Sequence, residues 1–95
     1  MKYEIKWTTR FKKDYKMMIK QGVDIQLLDD VITKLALGED LPSKHKDHSL
    51  IGNYANAREC HIKPNWLLIY RVYKDILVLA LVRTGSHQKL FSNNI

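Results

Sequence analysis

Two short stretches of this 95-residue chain carry the side chains best suited to reaction chemistry: HIKPNW at 61–66 and RTGSHQKLF at 83–91. A third, KHKDH at 44–48, adds two more histidines among lysines. Together these side chains suit a phosphodiester. Arg83 offers a planar, permanently charged fork for phosphate oxygens. Histidines titrate near neutrality and can give or take a proton. Trp66 and Phe91 can stack on bases, and lysines such as Lys46 can hold neighbouring phosphates. In RNA the 2′-hydroxyl is an internal nucleophile. A protein then has only to deprotonate it, stabilise the crowded phosphate and protonate the leaving 5′-oxygen, and such a site needs no metal.

These residues lie far apart in the chain, so the fold must gather them. The start alternates Tyr3, Ile5 and Trp7 with Lys2, Glu4 and Lys6, which predicts a strand over 2–8. Thr8 or Thr9 can cap a helix carrying Phe11, Tyr15 and Met18 at helical spacing, with Gly22 as its stop. Asp24 caps a second helix whose stripe is Ile25, Leu28, Ile32 and Leu35, closed by Gly38. The short link makes the two an antiparallel hairpin. Residues 39–53 read as loop. Strands over 54–62, 66–73 and 76–84 follow, with Pro64–Asn65 and Lys74–Asp75 as turns, and they form an antiparallel meander. The order is β-α-α-β-β-β, an α+β fold with the helix hairpin on one face of a small, mostly antiparallel sheet. The last two strands are apolar on both faces, as covered central strands are. Loops, the chain end or a partner must shield the face away from the helices.

In a meander the ends of the first and third strands flank the start of the second. His61, Trp66 and Arg83 therefore gather at one end of the sheet, with His87 just beyond. Alternation sets His61 on the face of Glu59 and Ala57, and Arg83 on that of Leu81 and Leu79. Each residue also has a plain structural reading. His45 is a solvated loop residue, His61 a half-buried strand histidine and Trp66 a core side chain, while Arg83 pairs with Asp47 or Glu59. A zinc site from His48, His61, His87 and Cys60 fits poorly, because Cys60 points away from His61 and the spacing matches no zinc pattern.

One domain of 95 residues is expected, with a net charge of +6 that favours an anionic partner. A lone cysteine excludes an internal disulfide and fits a reducing compartment, and no apolar run is long enough for a membrane helix. The run KDHSLIGNY, followed by RECHIKPNWLLIY and RTGSHQKLF, resembles the YafQ branch of the RelE/ParE toxin superfamily, and the helix hairpin and length extend the likeness over nearly the whole chain. The resemblance implies a RelE-like, microbial-ribonuclease-like fold. It also implies a cytoplasmic, metal-independent endoribonuclease that cuts mRNA in the ribosomal A site without a cofactor and is neutralised by a cognate antitoxin. The family's functional histidines match His48, His61 and His87, the last as general acid. Its arginine matches Arg83, and its aromatics match Trp66 and Phe91. Where the family commonly has aspartate before the tryptophan, this chain has Asn65, which can hydrogen-bond a base edge but cannot act as a carboxylate base. His48 or His61 is then the general base. The alternative is a non-catalytic RNA- or protein-binding module of the same fold.

Overall fold

The computed structural model describes residues 1–92, with Asn53 described for its backbone alone. The chain runs through β1 (Glu4–Trp7), α1 (Thr9–Lys20), α2 (Ile25–Ala36), β2 (His48–Ser49), β3 (Arg58–Lys63), β4 (Trp66–Tyr73), β5 (Val78–Gly85) and α3 (His87–Phe91). Both long helices start where a side-chain oxygen can satisfy a free backbone donor: Thr8 accepts from the Phe11 amide and Asp24 from that of Gln26. Gly22 and Gly38, just past their ends, take the left-handed conformation that terminates a helix.

The five strands lie in the order β1-β5-β4-β3-β2, with β1 parallel to β5 and the other pairs antiparallel. The expected architecture holds, with β4 and β5 inside the sheet. The helix side packs Phe11, Met18, Leu28, Ile32 and Leu35 onto Cys60, Leu68, Tyr70, Leu79 and Leu81. The opposite face is shielded as two of the three expected covers would do it. Leu90 of α3, with Phe91, and the loop residues Leu50 and Tyr54 close over Ala57, Leu67 and Ile69.

Three local expectations are corrected, and one segment without an expected element gains structure. Residues 54–57 are not strand: Gly52–Tyr54 is a 3-10 turn and Asn56 is left-handed, a conformation asparagine tolerates, so β3 starts only at Arg58. The link from β4 to β5 is four residues long, because Leu77 is left-handed and its carbonyl receives the Glu4 amide at 2.9 Å, starting the pairing with β1. The 39–53 loop contributes a short strand, β2, and a 3-10 turn at Ser43–His45. The segment after Gly85 is helical, because the Ser86 hydroxyl accepts from the Lys89 amide and caps α3.

A further correction bears on the site. The register jumps from Tyr70↔Leu81 to Ile69↔Arg83, so Val82 is an extra, bulged residue. Arg83 therefore lies opposite Ile69, on the face shielded by α3, and not on the face of Leu79 and Leu81.

Candidate active site

Sheet register explains why the polar residues collect. One row across the sheet reads His48, Glu59, Ile69, Arg83; the next reads His61, Leu67, Gly85. Both rows lie on the face away from the helix hairpin, and His87 follows Gly85 by two residues. With adjacent strands roughly 4.8 Å apart, His61 and Gly85 are separated by about 10 Å across β4.

On the β3 side, Glu59 is 5% exposed, yet among the described residues it forms no ion pair with an arginine or lysine. Its oxygens face the Nε2 atoms of His48 at 3.1 Å and His61 at 4.0 Å. The His48 ring is pinned at its other nitrogen, where Nδ1 donates to the Lys46 carbonyl at 2.7 Å. Lys46 adopts a left-handed conformation to present that carbonyl. Behind it, Tyr70 donates to Asp47 at 2.6 Å and Arg58 donates to Asp47 and Ser49, which fixes the short strand carrying His48. Burial, and then the Asp47 bond, push the Tyr70 phenol far above its ordinary range, so it remains a donor. The His61 ring is less constrained: its Nε2 faces Glu59 and its side chain is about a quarter exposed.

On the β5 side, Arg83 does not pair with Asp47 or Glu59. Its guanidinium reaches Asp14 of α1, with Nε to Oδ2 at 2.6 Å and Nη2 to Oδ1 at 3.2 Å. Asp14, 4% exposed, also accepts the Thr84 amide and lies 3.7 Å from Lys89 Nζ. β1 ends at Trp7, which leaves this part of β5 paired with β4 alone, and α1 supplies the acceptor missing on its outer edge. The Asp14 bonds hold the Arg83 pKa above its ordinary value against the opposing effect of burial, and Tyr54 acts in the same direction. Asp14 uses one side of the guanidinium fork. The two Nη1 protons and the second Nη2 proton form its other edge, which is the edge suited to a phosphate.

His87 is exposed and stacks on Phe91 at 4.7 Å, and Phe91 meets Tyr54 edge-on at 5.5 Å. The Tyr54 hydroxyl donates to the Leu90 carbonyl, so this aromatic file ties α3 to the loop before β3. Lys46 is exposed beside His61, and Asn65 is exposed in the β3–β4 turn.

The single gathering expected of the histidines and Arg83 is thus resolved into two groups. His48, Glu59 and His61 form one; Arg83, His87 and Phe91 form the other. The buried side chains of Leu67 and Ile69 lie between them. Trp66 is corrected from a stacking platform to a core residue. Its ring is 4% exposed among helix-side residues, and Nε1 donates to Thr84 at 2.9 Å. His45 is also not simply solvated, since its Nδ1 donates to the His61 carbonyl at 2.7 Å. That bond secures the Ser43–His45 turn to a stretch of β3 beyond the reach of β2. His45→Ala should lower the melting temperature by roughly 4–8 °C, the scale of one hydrogen bond of about 1 kcal/mol, in a thermal unfolding scan.

Sequence reasoning missed Asp14 and Glu59 as site residues. Asp14 lies three residues after Phe11 and four before Met18, on the buried stripe, where a carboxylate must have a partner. Glu59 shares its strand face with His61, a pattern that already placed an acid beside an imidazole. Cys60 faces the helix-side core, where burial pushes its thiol up to about 12.

Comparison with known proteins agrees with this architecture. Residues 3–92 match the model of the family described as "Bacterial toxin of type II toxin-antitoxin system, YafQ". The mRNA interferase toxin YafQ of Escherichia coli K12 is 34% identical over 89 residues, spanning 93% of this chain and 95% of that protein. The structure of a metal-bound toxin from Helicobacter pylori superposes with a TM-score of 0.88 at 44% identity, covering 94% of this chain and 99% of that one. The toxin in the E. coli DinJ–YafQ toxin–antitoxin complex does so with a TM-score of 0.86 at 32% identity, covering 97% and 100%. The metal belongs to the Helicobacter protein. Among the described residues here, no three His, Cys, Asp or Glu side chains converge into a ligand set.

Proposed function

The chain belongs to the YafQ family of bacterial type II toxins and is an mRNA interferase, and on that premise we propose that it cuts message on the ribosome by 2′-hydroxyl attack. The observation that carries this reading is the His48–Glu59–His61 group. A carboxylate 5% exposed between two imidazoles serves proton transfer and contributes nothing to apolar packing.

In-line displacement sets the attacking and leaving oxygens on opposite sides of phosphorus, so its base and acid must flank the phosphate. The two groups on either side of β4 meet that need. His61 accepts the 2′-hydroxyl proton, since its ring is the less constrained of the pair. Glu59 orients that ring through one oxygen and stabilises the imidazolium that forms there, while its other oxygen faces His48, whose Nδ1 is already committed to a carbonyl. His87 protonates the leaving 5′-oxygen, and Arg83, on the edge that Asp14 does not use, stabilises the phosphate. Lys46 holds the backbone beside His61. Asn65 contacts a base edge, and Phe91 supports the His87 ring and stacks on a nucleotide. The products are a 2′,3′-cyclic phosphate, which can open to a 3′-phosphate, and a 5′-hydroxyl.

Glu59→Gln keeps the size of the side chain and removes its charge. Turnover should fall by roughly tenfold or more, within the 10²–10⁴ that a general base contributes. The acid limb of the pH–rate profile should shift with it. An unchanged profile would remove Glu59 from the mechanism.

A cognate antitoxin is the proposed protein partner, as DinJ is for the E. coli relative. The net charge of +6 suits an acidic segment laid over the site. No helix among the described residues is long and apolar enough to cross a membrane, and a cytoplasmic location follows from the proposed ribosomal substrate. The deciding experiment is induced expression with and without the antitoxin, followed by primer extension on cellular message. Cuts in register with codons, absent when the antitoxin is present, are expected. Message bound but uncut would favour the non-catalytic module.

A further inference from the structure

β2 covers only the first two residues of β3, so the strand beyond Glu59 has a bare edge. The Ser43–His45 turn stands off that edge, secured by the His45–His61 bond. Between them lies a recess of about 350 Å³, lined by Lys44, His45, Lys46, His61, Ile62, Lys63 and Pro64. Three lysines and two histidines face it, and no carboxylate does. Among the described residues, none of the three lysines takes part in an ion pair, although the chain has ten acidic side chains. Like charges held together without a counter-charge repel one another, and an anion bound there would relieve that repulsion.

The walls of this recess are fixed, unlike those of a loose surface cluster. His45 commits Nδ1 to a backbone carbonyl, which leaves Nε2 as its other polar atom. Lys46 is locked in a left-handed conformation by the need to present its own carbonyl to His48. Lys63 lies at the β-bulge where the β3–β4 register shifts. The recess also shares His61 with the proton-transfer group, so a phosphate held here would sit one step along the backbone from a phosphate held at that group.

We propose that this recess is a second phosphate subsite on the RNA track, binding the backbone phosphate next to the one that is cut, with Lys44 and Lys63 as its charges and His45 as its rigid wall. The inference rests on the ribonuclease reading above and adds where the message runs: outward over the bare edge of β3, away from β4. Lysine suits this task, because a compact ammonium on a flexible stem follows a phosphate without demanding one orientation.

The test is a Lys44→Gln, Lys63→Gln double variant of the full chain, assayed on programmed ribosomes beside the parent and His87→Ala. The concentration giving half-maximal cleavage should rise about tenfold, while turnover at saturation stays within about twofold. The slope of log affinity against log salt should fall by about 0.7 for the lost single-strand phosphate contact. An unchanged half-maximal concentration, or lost turnover at unchanged affinity, would overturn the subsite. Failure of the ribonuclease reading is a separate result, in which the parent cuts no better than His87→Ala.

A second measurement is independent of the ribosome. Nuclear magnetic resonance of the isotope-labelled chain, titrated with a 2′-O-methyl trinucleotide, should move the amides of Lys44, His45 and Lys63 in the parent and not in the double variant. Inorganic phosphate should move the same amides at higher concentration. A glutamate-rich peptide moving them as strongly as the RNA would overturn the assignment in favour of a protein ligand.

Discussion

Arg83→Ala should silence message cleavage and loosen the fold in the same stroke. Loss of its charge at the phosphate should reduce turnover on the order of a hundredfold or more. The structural effect comes from what remains. Asp14 is almost wholly buried, and its ion pair with Arg83 is nearly closed to water, with the two side chains 5% and 10% exposed. Breaking such a pair from one side costs about 3–5 kcal/mol, a large share of the 5–15 kcal/mol that holds a domain together. A companion variant separates the two effects. Arg83→Met with Asp14→Leu removes both charges and fills the space with apolar atoms, a replacement that is often neutral or stabilising. Thermal unfolding of this double variant should return towards the parent, while primer extension still finds no cuts. Recovery of cleavage together with the fold would show that Arg83 is a structural residue only.

His87→Ala should show the opposite combination. The side chain is exposed, and its only ring contact among the described residues is the stack on Phe91, so stability should change by no more than about 0.5 kcal/mol. Turnover should fall by roughly 10²–10⁴, the usual worth of a general acid, and the alkaline limb of the pH–rate profile should disappear. Antitoxin binding and ribosome binding should persist, which makes this variant the natural inactive form for structural work. Cleavage within a factor of two of the parent would remove His87 from the leaving-group side and require another proton donor.

The fold was readable in the sequence wherever one periodicity ran without interruption. The run 66–73, apolar on both faces and bounded by the turns at Pro64–Asn65 and Lys74–Asp75, gave β4 its full length, and the stripe from Ile25 to Leu35 with caps at Asp24 and Gly38 gave α2. It was hidden wherever backbone conformation overrode pattern. Asn56 and Leu77 are left-handed, and no apolar count reveals that. The five residues of α3 are too few for a helical period, and only the Ser86 cap marked their start.

The same contrast applies to the site. Connectivity was enough to bring His61, His87 and the end of β5 to one region, and register added His48. The sequence could not show that Arg83 changes faces, because the change depends on a single bulged residue. Nor could it show that Arg83 reaches back across 69 positions to Asp14. A pair so distant in sequence follows no local rule. A buried acid on an apolar stripe and a lone arginine in an apolar strand were each visible as anomalies, and the structure makes each the answer to the other.

The bulge at Val82 also decides what kinds of genetic change this stretch tolerates. Substituting Val82 alters a partly exposed side chain, whereas deleting it joins Arg83 directly to Leu81 in a regular ladder, where Arg83 still falls opposite Ile69 and the carbonyl that accepts the Thr8 hydroxyl is lost. Relatives should therefore be free to vary the residue at 82, or to lose it, while keeping Leu81 and Arg83 on opposite faces of the sheet.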